Sequence, residues 1–507
     1  MFTHYKALAV VLALATLVFV LAKPICLRFT APEDFARRRL LWYVLTITAF
    51  VSPNIWLYVL VAAPLIAWAA KMDSTPAALF PLLMFVIPPI SIQIPIVGIN
   101  RLFELNNWRI LGFMVLVPTA IAQLRRASDE RPFRITSLDL LLMLYMILQL
   151  ALLMPYESIT NTMRRCFLLL LDEYVLFFVF SRALHTKRNI ADAMGALCLA
   201  AAIFAPLAAF ESLRGWLLYT QIDERWGSPN SFAWLLRGDS LRAQVSTGHS
   251  IGLGYILAMA IGFWMYLKAT EPRKMVNAAV IGLLSTGLFF SYARGPWIAA
   301  ALSAMIFVAL GSKGAANFFK GALVIAAIVA VIGVTPLGDK IVENLPFIGT
   351  QGQETVAYRQ QLAETSWLLV QQNPIFGNPF VMLNMEELRQ GQGIIDIVNA
   401  YAQVALFHGL VGLALFVGVF LIALRRGYSQ LRRSRVANDI DMVWLGASLL
   451  ACMVSTLVYM VTAGSPLQWM LAGLLVSYAA LPVTQSIVSA DPTLEPSAFR
   501  PRSVSAA

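Results

Sequence analysis

The sequence predicts an all-α fold that crosses a membrane about 12 to 14 times. Three observations predict it. Of 507 residues, 59% are hydrophobic and only 13% are charged, too little polar surface to cover a soluble core of this size. Apolar runs close to the ~20 residues that span a bilayer recur along the chain. Basic loops recur with two such runs between them, as they do when all of them stay on the cytoplasmic side.

The runs follow in order. The first, 5–22, has Lys6 ahead of it and Lys23-Pro24 behind; further membrane segments follow and no cleavage site ends it, so it reads as a helix rather than a signal peptide. The stretch 40–70 predicts either one long tilted helix or two short ones broken at Pro53. Weaker runs cover 76–97, 108–124 and 166–181, with a strong one at 136–154. Strong runs then follow at 189–210, 247–267, 275–290, 296–311, 321–337, 397–424, 438–463 and 466–487. The whole of 1–507 reads as a single polytopic membrane domain, with 488–507 expected to be a disordered cytoplasmic tail.

The net charge of +11 does not point to nucleic acid, because it is distributed by side. Basic loops lie at Arg125-Arg126 to Arg134, Arg182 to Arg188, Lys268 to Lys274, Lys313 to Lys320, and Arg425 to Arg435, the last with five arginines and no acid. The loops between them then face outward: 155–163, 212–246, the turn at 291–296, and 338–396. The last carries three cations, Lys340, Arg359 and Arg389, against seven carboxylates. Arg28 and Arg37-Arg38-Arg39 look cytoplasmic, but their side depends on how 40–70 divides.

Cys26, Cys166, Cys198 and Cys452 are scattered, as are His4, His185, His249 and His408. Their spacing suggests no metal or redox site, and no cofactor is expected. No phosphate-binding GxxxxGK[ST] loop and no GxSxG elbow appear. The sharpest local signal is "FSYARGPWIAAAL", Phe290 to Leu302. Loop parity places Arg294 at the outer end of a helix, where a cytoplasmic anchor has no use. Gly295 permits close backbone approach, and Pro296 suits the first turn of the next helix. A guanidinium beside a helix N-terminus makes a phosphate pocket; the alternative is an interfacial arginine reaching for water. The outer membrane face offers one abundant class of phosphate donor, polyprenyl-diphosphate-linked sugars.

Two blocks resemble the O-antigen ligase and O-antigen polymerase family of bacterial envelope glycosyltransferases. "SYARGPWIAAAL" is similar to the family's Ser-x-Ser-Arg-Gly-x-x-x-Ala turn, with Ala293 in place of the second serine. "YRQQLAETSWLLVQQNPIFGNPF" followed by "GIIDIVNAYAQVALFHGLVGLALF" resembles an arginine-led amphipathic helix, a Pro-x-x-Gly turn and an Asn-x-Tyr start to a Gly-x-x-Gly helix. The ligase-like region is expected over 290–424, with 212–246 and 338–396 as periplasmic loops and a short amphipathic helix around 355–372. The resemblance implies a bacterial inner-membrane enzyme with a site facing the periplasm. It implies an undecaprenyl-diphosphate-linked oligosaccharide donor, a glycan acceptor, and an inverting, metal-independent transfer. Its other expected partners are membrane lipid and a chain-length regulator or export complex. Family ligases often carry His-Asn where this chain has Val398-Asn399, which favours a polymerase of exopolysaccharide or O-antigen repeats.

Such a transfer needs cations for the departing diphosphate and a base for the acceptor hydroxyl. Arg294, Arg242 and Arg359 are the expected diphosphate ligands. Asp396, one turn ahead of Asn399 and Tyr401, is the expected base, with a helix cap or an arginine partner as its other readings. Glu364 is the runner-up. Arg294 and Asn399 complete the catalytic set, and His249, Tyr401 and His408 are accessory candidates. Trp216, Trp226 and Trp234 are candidates for stacking on sugars or for an interfacial belt. The alternatives in function are a lipid-linked oligosaccharide flippase or other transporter, and a non-catalytic component of polysaccharide assembly.

Overall fold

The computed structural model describes residues 3–94, 102–130, 135–227, 232–311, 353–389, 395–464 and 467–483. The apolar run 321–337, the basic loop 313–320, residues 338–352 and 390–394 of the long loop, and the tail 488–507 lie outside them. Among the described residues the chain is a bundle of helices with two two-stranded ribbons.

The chain opens with α1 (Thr3–Cys26), α2 (Pro32–Val51) and α3 (Ile55–Met72). The stretch 40–70 is therefore broken, not one long helix. Pro53 cannot continue α2, and the Asn54 side chain accepts a hydrogen bond from Leu57 N at 3.0 Å to start α3. The run 76–97 does not become a spanning helix. Its helix is α4 (Leu79–Leu83), five residues long, because Pro88-Pro89 stop the ladder. The backbone beyond is satisfied from the side. Asn107 donates to Leu83 O and Met84 O at 2.8 and 3.1 Å, and Ser246 Oγ donates to Phe85 O. Irregular backbone inside a membrane protein needs such partners. Strand β1 (Ile92–Gln93) then pairs antiparallel with β2 (Glu104–Leu105), Ile92 opposite Leu105.

Next, α5 (Asn107–Leu111), a π turn (Gly112–Leu116) and α6 (Val117–Glu130) run on continuously. After α7 (Ser137–Leu153) come α8 (Ile159–Leu169), a second π turn (Leu170–Val175) and α9 (Leu176–Arg182). The long α10 (Lys187–Arg214) leads to the short α11 (Thr220–Trp226) and the ribbon of β3 (Leu236–Arg237) and β4 (Ser240–Leu241). Then follow α12 (Ser250–Leu267), α13 (Lys274–Phe290) and α14 (Arg294–Leu310). The last described helices are α15 (Gln353–Gln372), α16 (Ala400–Val436), α17 (Ile440–Tyr459) and α18 (Leu467–Ala480).

Seven helices among the described residues are long and apolar enough to span a bilayer, and four shorter apolar ones accompany them. The core is built where small residues let helices meet. Gly262 of α12 packs against Ser303 of α14 and Cys452 of α17, and Ser448 Oγ donates to Gly262 O at 2.8 Å. In α16 the backbone breaks at Gly409, φ 65°. The Pro374-to-Gly377 turn is sewn onto that break: Asn378 N donates to Leu406 O at 2.8 Å and Leu410 N to Pro374 O at 2.8 Å. A side chain at Gly409 would collide with the Ile375 carbonyl.

Ion pairs mark one end of the bundle. Arg38 binds Asp73 and Asp192 at 2.7 Å each. Glu271 takes Arg28 and Arg273, at 3.3 and 2.8 Å, and Lys187 takes Asp439 and Asp441, at 3.3 and 3.1 Å. Loops 182–188, 268–274 and 425–435 therefore share one end with Arg28 and Arg38. Both ends of the 52–54 break lie at the opposite end, where Trp226 Nε1 donates to Ser52 O at 3.1 Å.

Candidate functional site

At that opposite end, α13 stops at Phe290 and α14 begins at Arg294 within three residues. The turn is tight because Tyr292 adopts a left-handed φ of 46°, and Ser291 Oγ donates to Leu288 O at 2.7 Å. Trp297 locks the two helices together: its Nε1 donates to Leu288 O at 2.9 Å and its ring stacks on Phe289 at 5.8 Å. Gly295 is required by proximity, since a Cβ there would stand 2.6 Å from Thr462 Oγ1. Pro296 packs on Gly254 of α12. Arg294 is thus carried to the bundle end on a rigid corner.

The β3–β4 ribbon supplies two more arginines. Gly238, φ 58°, makes its two-residue turn, a conformation glycine adopts without strain. The ribbon is tied to the end of α13 by Ala243 N donating to Phe290 O at 3.1 Å. Arg237 donates to Tyr292 O at 3.0 Å. The backbone just after Arg242 is held by Glu211, a fully buried carboxylate at the end of α10. One oxygen of Glu211 accepts from Leu218 N at 2.9 Å; the other accepts from Gln244 N at 3.0 Å and Val245 N at 2.8 Å.

The fourth arginine comes from α15. Leu362, Ser366 and Val370 form its buried stripe at a spacing of four, and Arg359 lies one turn before Leu362 on the same face. The stripe packs in a small separate core with Val381, Met385, Leu388 and Leu406. Tyr358 OH bridges the backbone of Asp396, 3.1 Å from both its N and its O.

Arg237, Arg242, Arg294 and Arg359 act electrostatically on one another. Burial, then the charges of Arg294 and Arg359, push Arg237 down to about 10. Burial, then Arg237 and Arg359, do the same to Arg242, also to about 10. Burial lowers Arg359, and Asp396 opposes it. Arg242 and Arg359 each keep a buried Nε with no protein hydrogen-bond partner. His249 borders the group. It caps α12 by accepting from Ile251 N at Nδ1, 3.2 Å. Although its edge is exposed to solvent, the surrounding protein and then Arg242 lower its pKa, while Asp396 raises it. A concentration of cations with donors left over is a site for an anion.

The structure thus brings Arg242, Arg294, Arg359, His249 and Asp396 together. The one-turn argument for Asp396 fails, because α16 starts only at Ala400; Asp396 lies in the extended stretch before it and is exposed. The cap is Asn399, whose Oδ1 accepts from Tyr401 N at 3.0 Å and Ala402 N at 3.1 Å. Tyr401 anchors α16, donating from its hydroxyl to Leu457 O at 2.7 Å. Glu364 is exposed and bonded by Gln360 at 3.0 Å, off the buried stripe that carries Arg359. His408 lies beyond the cluster, edge-on to Tyr145 at 6.0 Å. Trp226 packs on Tyr58 at 5.4 Å and Trp216 on Phe210 at 6.2 Å, whereas Trp234 is exposed. Sequence reasoning missed Arg237 and Glu211. The Arg-Gly-Asp-Ser stretch 237–240 carries a turn signal that would have placed Arg237; nothing local distinguishes Glu211. Among the described residues, no group of three or more His, Cys, Asp or Glu side chains is arranged to hold a metal.

Fold and arginine cluster together describe a multi-pass, all-α membrane protein with cations gathered at one end of its bundle. Residues 278–417 match the family model Wzy_C, O-antigen ligase, so over that region the chain is similar to this family. The match includes Arg294, Arg359 and Asp396 and leaves Arg237, Arg242 and His249 outside. No curated protein matches the chain.

Proposed function

We propose that the chain is a glycosyltransferase of the polysaccharide polymerase or ligase kind. It takes an oligosaccharide from undecaprenyl diphosphate and joins it to a sugar hydroxyl at the periplasmic face of a bacterial inner membrane, in exopolysaccharide or O-antigen synthesis. The observation that carries this reading is the convergence of Arg237, Arg242, Arg294 and Arg359 from three separate segments. Four guanidiniums match a diphosphate, which holds its charge in both donor and leaving group.

In this reading the arginines bind the diphosphate, and His249, with Nδ1 engaged, offers Nε2–H as a further donor. The acceptor oxygen attacks the anomeric carbon while its proton passes to Asp396. The bond from that carbon to the diphosphate oxygen breaks, and its electron pair leaves on the lipid diphosphate. Attack opposite the leaving group inverts the anomeric centre. Glu211 and Asn399 are positioning residues, holding the Arg242 segment and the start of α16.

The test is reconstitution in vesicles with lipid-linked repeat units. A ladder of lengthened glycans, or transfer onto an added acceptor, is expected from the native chain and is lost in Arg294→Ala and Arg294→Lys, since lysine cannot replace a bidentate contact. Movement of the lipid across the bilayer without any transfer would make the chain a flippase. Full transfer by both variants, inserted normally, would reduce Arg294 to an interfacial anchor.

A further inference from the structure

A second chamber opens beside the arginine cluster, between the outer halves of α7, α16, α18 and the second π turn. It encloses about 560 Å³, within the ~300–1,000 Å³ usual for small-ligand sites. Four of its lining side chains carry a buried polar atom with no protein partner: Gln149 Nε2, Glu173 Oε2, His408 Nδ1 and Gln468 Oε1. Gln149 and Gln468 are 6% and 8% exposed. Buried polar groups are ordinarily hydrogen-bonded, and four orphans on one cavity ask for a common partner. The wall between them is aromatic, formed by Tyr145, Phe416 and Trp469.

The backbone is shaped to make this chamber. The π turn Leu170–Val175 places Asp172 and Glu173 on its wall. It faces the other π turn, where Gly112 lies so close to Leu171 that an added Cβ would stand 3.1 Å from its Cδ1. Such turns interrupt a helix at a cost and recur at functional sites. A neighbouring cavity of about 370 Å³ shares Asp172 and Gly464 with the chamber and reaches Gly252 and Tyr255, in the first turns of α12 after His249. The chamber therefore adjoins the cationic site through the 459–464 turn, which also touches Gly295.

Its chemistry differs from that site. Asp172 and Glu173 line it together with Arg165, and Arg109 pairs with Asp172 at 2.9 Å, so its charges are balanced rather than concentrated in one sign. An amide donor, an amide acceptor, a carboxylate and an imidazole on aromatic walls suit groups that both donate and accept, with an apolar face to stack. We infer that this chamber is a saccharide subsite, holding an uncharged sugar unit of a reacting glycan next to the diphosphate site. The inference rests on the transfer reading. The same sugar chemistry can arrive on the acceptor or on the lipid-linked donor.

The test uses the full chain in lipid nanodiscs and the double variant Gln149→Leu with Gln468→Leu, with Gln468→Leu alone as the milder change. Three affinities are measured: for undecaprenyl diphosphate without sugar, for a labelled oligosaccharide released from the cell's own surface polysaccharide, and for the lipid-linked repeat. Losing two hydrogen bonds weakens the sugar-bearing ligand about tenfold or more, with undecaprenyl diphosphate affinity unchanged. A weakened free oligosaccharide assigns the chamber to the acceptor; a weakened lipid-linked repeat alone assigns it to the donor glycan. If neither changes in variants that melt as the native chain does, the chamber is a water-filled vestibule and the inference is overturned. Joint loss of all three affinities with a lowered melting temperature makes these glutamines structural and overturns it equally. Sugar binding that depends on the glutamines, in a chain that transfers nothing, keeps the subsite and removes the transfer reading instead.

Discussion

The two ends of the bundle use arginine in opposite ways. At one end Arg38 is buried and two edges of its guanidinium are taken, by Asp73 through Nε and Nη2 and by Asp192 through Nη1 and Nη2. Arg28 and Arg273 share Glu271 there, and Lys187 bridges two aspartates. At the other end Arg237, Arg242, Arg294 and Arg359 are set against one another, and the carboxylate that opposes the shift of Arg359 is Asp396. Charges neutralised inside the protein tie segments together; charges left to repel one another store free energy that an incoming anion releases. The first pattern is architecture; the second is what the proposed function reads as a binding site.

The comparison breaks first at Arg38. Arg38→Ala strands two carboxylates in a buried place and should cost about 3–5 kcal/mol. Thermal unfolding in detergent should show a large fall in melting temperature, while undecaprenyl diphosphate affinity per folded molecule stays the same. An unchanged melting temperature would mean that the pairs do not hold that end together.

Asp396→Asn should lower glycan transfer about 100-fold, the size of a lost general base, with donor binding equal to or tighter than native, because a negative charge leaves the neighbourhood of the arginines. Weaker donor binding would instead assign Asp396 the task of positioning Arg359. At the same end, Arg242→Gln should cut undecaprenyl diphosphate affinity about tenfold or more, the loss of one charge-assisted contact. Its melting temperature should hold or rise, since a repelling charge has gone. That sign is opposite to the one expected at Arg38, and a destabilised Arg242→Gln would erase the contrast.

The smallest effect is a pH dependence at His249. Its folded-state pKa lies below the ordinary 6.5, so the capping contribution of Nδ1 is full above about pH 6.5 and is lost as pH falls through the lowered value. Asparagine caps without titrating. Melting curves from about pH 7.5 to about pH 5 should show His249→Asn losing less stability on acidification than the native chain. Parallel acid losses in both would place the relevant titration elsewhere.

The sequence by itself determined the membrane class, the end of the bundle where the basic loops gather, and the corner at Arg294-Gly295-Pro296. Hydropathy and loop charge are sums over neighbours in the chain, so they need no knowledge of contacts. The α15 helix was legible as an arginine-led amphipathic stretch through the resemblance; that Arg359 shares the face of Leu362 and Val370 was decided by the fold. The tertiary structure alone decided that 40–70 is two helices, that Asn399 and not Asp396 caps α16, and that Gly409 is where the Pro374 turn is sewn in. It also decided which charges surround each arginine. Arg38 and Arg294 each look, in sequence, like a cation beside an apolar run. They are told apart by whether distant residues such as Asp73 and Asp192, or Arg237 and Arg359, fold back against them, and the free energy of a charge is set by those through-space neighbours.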